Sequence, residues 1–89
     1  MHFITNEPYK LRYFLEFAYK GTSSVTLLDI LNGVEGKEII IYGQATNTLT
    51  VDSVAGKILI SGSAAVLDGP AKSITLKKFD GVWTEIARA

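Results

Sequence analysis

Residues 73–86 read Ser73-Ile74-Thr75-Leu76-Lys77-Lys78-Phe79-Asp80-Gly81-Val82-Trp83-Thr84-Glu85-Ile86, two alternating runs joined by Asp80-Gly81. A tight primed turn needs positive φ, which glycine supplies without steric cost, so Asp-Gly between alternating runs predicts a β-hairpin. In the first run Ile74 and Leu76 share one face, while Thr75 and Lys77 share the other. The second run carries Trp83, the single tryptophan of the chain.

Upstream of the hairpin the pattern stays β. Runs rich in Val, Ile and Thr alternate with turn residues at short intervals, which predicts strands at 24–28, 38–42, 48–51 and 57–61. Turns are marked at residues 33–36, 45–47, 55–56 and 67–70. Ile39, Ile40 and Ile41 are consecutive, so that strand is apolar on both faces and calls for cover on both. In so short a chain, a second copy is the expected source of the outer cover. Gly43, Gly62 and Gly81 recur at equal intervals after apolar runs. A solenoid would show such a period, but three or more similar units are needed, and recurring turn glycines in a meander explain it more simply.

Residues 9–20 fit two periods. With period two, Leu11, Tyr13, Leu15, Phe17 and Tyr19 form an apolar face opposite Lys10, Arg12 and Glu16. With helical period, Leu11, Phe14, Leu15 and Ala18 align, between an Asn6 cap with Pro8 in the first turn and a Gly21 stop. Aromatic content favours the strand, and a short N-terminal helix stays the alternative. Residues 1–8 read as an N-terminal extension and 9–89 as one β-rich domain.

The chain has 89 residues, no cysteine and one histidine, His2, so disulfides and the usual zinc sites are excluded as a source of stability. A domain of this size buries only roughly 60–65% of its unfolded surface. The chain is 47% hydrophobic with a mean hydropathy of +0.22, more apolar surface than a small interior can hide. Self-association is the remaining way to hide it. Nine basic residues balance nine acidic ones, which gives no long-range attraction for nucleic acid or an anionic membrane. No run of eighteen apolar residues exists to insert into a bilayer, and the N-terminus lacks the basic start and apolar core of a secretory signal.

Catalytic chemistry finds little support. Gly33-Val34-Glu35-Gly36-Lys37 lacks the earlier glycine and the following hydroxyl of a phosphate loop, since Leu31 and Glu38 stand there. The carboxylates fall in turns or at strand ends, with no reason to pair two of them. No Gly-x-Ser-x-Gly elbow occurs. No catalytic residue, metal ligand or cofactor is therefore expected. Tyr42, Phe79 and Lys77 are the candidate ligand contacts, the rings as flat faces for a surface sugar. Lys77-Lys78 also reads as a solvated strand edge that discourages stray pairing.

One further feature concerns the whole pattern. The stretch from Thr22 to Ile41, with its Thr/Val strand, Asn32-Gly33 turn, Gly36-Lys37 turn and Ile-rich strand, resembles a segment near the C-termini of bacteriophage tailspikes and tail fibres. Residues 47–51, 57–62 and 73–76 continue the likeness. The ending Phe79-Asp80-Gly81-Val82-Trp83-Thr84-Glu85-Ile86-Ala87-Arg88 is similar to that family's closing tyrosine–x–glycine–x–tryptophan–x–glutamate–hydrophobic–serine–arginine. Lys37, Phe79 and Ala87 replace the usual glutamine, tyrosine and serine, which alters surface chemistry but no apolar or turn position. The resemblance covers about residues 13–88. It implies a homotrimeric, all-β C-terminal module of a virion attachment protein, assembled in the host cytoplasm. Its partners would be the rest of the fibre or spike and, in some such modules, a host-surface glycan.

Together these readings predict an all-β module, a small antiparallel sandwich or prism-like unit assembled as a homotrimer. Ile39, Ile41, Ile58, Ile60, Ile74 and Leu76 are expected to pack about the threefold axis, with Trp83 anchoring the hairpin. Each large aliphatic contributes roughly 1.5–3 kcal/mol on burial.

Overall fold

In the computed structural model, Asp80 and Gly81 take φ of 55° and 81°, the two left-handed residues of a primed turn. They join Ser73–Phe79 to Val82–Arg88 as the expected antiparallel hairpin, with Lys78 opposite Trp83 and Phe79 opposite Val82. The pairing slips between Thr75 and Leu76, leaving Ile86 as the extra residue of a bulge. The structure describes the backbone of residues 4–6 and 10–12 and all of residues 14–89.

In chain order the strands are β1 (Ile4–Asn6), β2 (Lys10–Arg12), β3 (Glu16–Ala18) and β4 (Val25–Leu27). β5 (Asp29–Leu31), β6 (Glu38–Tyr42), β7 (Leu49–Val51) and β8 (Ile58–Leu59) follow. β9 (Ala65–Leu67) precedes the hairpin strands β10 (Ser73–Phe79) and β11 (Val82–Arg88). Among the described residues the fold is all-β. The helical alternative for residues 9–20 does not occur there: the segment supplies β2 and β3, separated by a bend at Leu15. Ile4–Asn6, expected in an extension, pairs with β2. Tyr9 and Tyr13 lie outside the described residues.

The sheets run β1-β2-β5, β3-β6-β10-β11-β8 and β4-β7-β9. Where an antiparallel sandwich or a prism-like module was expected, the pairing is mixed. β2 with β5, β3 with β6, β4 with β7 and β8 with β11 are parallel. The physical reason is topological. Parallel neighbours need a long crossover, and here β4 and β5 lie within the crossover from β3 to β6. The triplet β2-β3-β4 thus stacks on the triplet β5-β6-β7, coil on coil, with Phe17 beside Ile41 and Val25 beside Leu49. The evenly spaced glycines do not mark these coils. Gly62 and Gly81 are turn residues with positive φ, whereas Gly43 is buried against the backbone carbonyl of Leu67.

The core closes within one chain. Phe17, Leu27, Ile39, Ile41, Leu49, Val51, Ile74 and Leu76 are completely buried, and no polar or charged residue is buried with them among the described residues. Ile58, Ile60 and Trp83 join the same cluster. The six aliphatics expected to pack around a threefold axis lie in the core of the single chain. Alternation decides this. Ile39 and Ile41 point inward from β6, and Ile74 and Leu76 meet them from β10. Ile40 points outward and is half-buried, flanked by Glu16 on β3 and Thr75 on β10. Neighbouring strands thus cover part of the face for which a second copy seemed necessary.

Candidate functional site

The turn before β6 is built around the hairpin. Gly33 sits against Trp83, where a Cβ would fall 2.1 Å from the indole ring. The indole Nε1 donates to the Ile30 carbonyl at 3.3 Å. Lys78 spans the same contact: its ammonium donates to the Gly33 carbonyl at 3.1 Å and lies 6.0 Å from the indole centroid. The Glu35 carboxylate accepts the backbone N–H groups of Asp80 and Gly81. Gly33-Val34-Glu35-Gly36 is thus a docking turn for the terminal hairpin, and its carboxylate is occupied in holding it.

Other carboxylates are similarly engaged. Asp29 meets Lys57 at 3.5 Å, and Asp68 meets Lys72 at 3.5 Å. Glu85 accepts from Arg88 at 2.8 Å and from the Ser61 N–H at 2.8 Å. Arg88 also donates to the carbonyls of Ser63 and Ala64, so the pair clamps the loop between β8 and β9 onto β11. The hydrogen bond from Arg88 is the main cause that holds the Glu85 carboxyl below its ordinary pKa, against the opposing effect of burial. A carboxyl whose folded pKa is depressed contributes stability above its unfolded value, lost as pH falls through the folded one. Wild-type stability is therefore expected to fall more steeply than that of Glu85→Gln below about pH 4.3, the ordinary glutamate range. Urea midpoints measured at neutral and acid pH check this, and parallel pH profiles count against the clamp.

With these side chains used by the fold, the outward face of the five-stranded sheet remains. Register places Ala18, Ile40, Tyr42, Thr75, Lys77, Phe79, Val82, Thr84 and Leu59 on it. Phe79 is 67% exposed and Leu59 55%, with Ile86 at the bulge 51%. At the β3 edge lies a groove of about 400 Å3, lined by Phe14, Leu15, Glu16, Ala18 and Tyr42. The three candidate ligand contacts share this face but not one site. Tyr42 lines the groove opposite Ser73, whereas Phe79 is six residues further along β10, roughly 20 Å away at ~3.3 Å per residue. Lys77 stands between them, opposite Glu38. Phe14, which completes the groove, was not singled out by sequence because strand periodicity puts it on the polar side.

Among the described residues no group of three His, Cys, Asp or Glu is placed to hold a metal ion, and no helix is long and apolar enough to cross a membrane. No protein-family profile, curated protein or solved structure matches the chain.

Proposed function

We propose that this chain is a non-enzymatic assembly module of a bacteriophage tail fibre or tailspike, which holds copies of the attachment protein together as a homotrimer. The observation that carries the reading is the outward face of the five-stranded sheet. It leaves Phe79 and Leu59 in water although the core beneath is complete. Scattered exposed apolar residues are ordinary, but several on one sheet face are the signature of an interaction surface. The carboxylates of Glu35, Glu85, Asp29 and Asp68, held in turns and ion pairs, support the non-enzymatic part of the reading. The resemblance of residues 13–88 to the tailspike and tail-fibre ending supplies the class, with the virion as the place of action. Three outward sheets facing a common axis would make a prism-like assembly.

Sedimentation equilibrium of the purified chain tests the reading. A mass three times that of the 9.7 kDa chain is expected. A monomer throughout the accessible concentration range overturns it. A second reading, contact with a bacterial surface glycan, is favoured by one observation: two aromatic residues, Phe14 and Tyr42, line the same groove as the acidic Glu16.

A further inference from the structure

The two apolar features of the outward face are complementary. One is a protrusion: Phe79, at the hairpin end of β10, is the most exposed large hydrophobic residue described. The other is the groove of Phe14, Leu15, Ala18 and Tyr42 at the far end of the same sheet. Their separation keeps Phe79 out of its own chain's groove. Charge follows the same complementarity. Glu16 lies at the groove and Lys77 two residues before Phe79, and neither has an ion-pair partner among the described residues.

We infer that Phe79 of one copy inserts into the Phe14–Tyr42 groove of the next, with Lys77 of the first meeting Glu16 of the second. In a head-to-tail, heterologous arrangement the contact repeats around an axis, closes a ring, and three such contacts make the trimer; a two-fold pair exchanging Phe79 would stop at a dimer and overturn the ring. The inference rests on the self-association reading and names the surfaces that perform it. A sugar is the poorer occupant. Sugar recognition calls for several convergent polar groups, and this lining is mostly hydrocarbon with one carboxylate. A phenyl ring needs only such walls, and aromatic rings dominate interface cores because each buries a large area. Zero net charge leaves no overall repulsion between copies to oppose it.

The experiment is sedimentation equilibrium on the wild type, Phe79→Ser, Glu16→Lys, Lys77→Glu and the double reversal Glu16→Lys/Lys77→Glu. All of these positions are exposed or half-buried, and circular dichroism verifies that each variant folds. Phe79→Ser is expected to weaken association at least ten-fold. Each single reversal is expected to weaken it as well, and the double reversal to regain most of the loss. A trimer unmoved by Phe79→Ser, or a double reversal no better than the singles, overturns the contact while self-association stands. Species that grow beyond three copies overturn ring closure. A wild type that stays monomeric removes the contact and the assembly reading together. If tyrosine resonances of that monomer then shift with purified capsular polysaccharide, the groove belongs to a glycan.

Discussion

Replacing Trp83 by alanine is expected to lower the unfolding free energy by about 3–5 kcal/mol, the usual cost of deleting a large core aromatic. The whole domain is held by only about 5–15 kcal/mol, so this one change removes a large share. Trp83 is 1% exposed and joins three parts of the chain. It pairs with Ile58 of β8, its indole N–H reaches the Ile30 carbonyl in the middle of β5, and its ring fills the space over Gly33. Alanine would leave a cavity at the junction of the hairpin with both coils, and Lys78 would lose the ring it spans. Urea unfolding followed by far-ultraviolet circular dichroism measures the effect, because the variant has no tryptophan to report by fluorescence. A loss under about 1 kcal/mol would contradict the packing described. A second substitution adds specificity. Gly33→Ala forces a Cβ against the ring in the wild type but meets open space once the ring is gone, so its cost is expected to shrink in the Trp83→Ala background.

The hairpin was legible because its determinants are local: alternation on both sides and a dipeptide suited to positive φ at Asp80 and Gly81. Glu38–Tyr42 was equally readable from β-branched content between turn signals. Asp29–Leu31 and Ala65–Leu67 were not: each is three residues long, the first opens on Asp29 and is followed by Asn32, the second is followed by Asp68, and these residues read as loop. The parallel pairings were hidden for a different reason. No local signal records that Glu16 lies beside Ile40 or Val25 beside Leu49, since those contacts arise only when inward-facing Phe17, Ile41, Leu27 and Val51 collapse together. The same limit applies to the isoleucines: local pattern marks Ile39, Ile41, Ile58, Ile60 and Ile74 as packing residues without recording that stacked coils let short strands share a single core. As for the candidate site, the sequence offered Tyr42 and Phe79 as exposed rings. It could not say that Phe79 stands six residues along β10 from the partner of Tyr42, nor that Phe14, next to the bend at Leu15, lines one groove with Tyr42.

Ile41→Asp is the sharpest test of where those isoleucines go. Ile41 is fully buried between Phe17 on β3 and Ile74 on β10, both fully buried themselves. Truncating such a side chain costs roughly 2–5 kcal/mol, and an unpaired buried carboxylate adds several more. No buried polar residue among those described stands ready to receive it. The sum exceeds the stability of a small domain, so the variant is expected to be unfolded at neutral pH, with no cooperative urea transition and collapsed amide dispersion in 1H–15N spectra. Ile40→Asp, one residue earlier and directed outward beside Glu16 and Thr75, is expected to fold. The contrast between adjacent isoleucines separates two explanations that a single substitution would merge. If Ile41 were part of a surface between chains, its aspartate variant would dissociate into folded monomers. If the register of β6 were reversed, Ile40→Asp would be the one to unfold. Folding kept at position 40 and lost at position 41 places the aliphatic core inside the single chain and leaves association to the outward face.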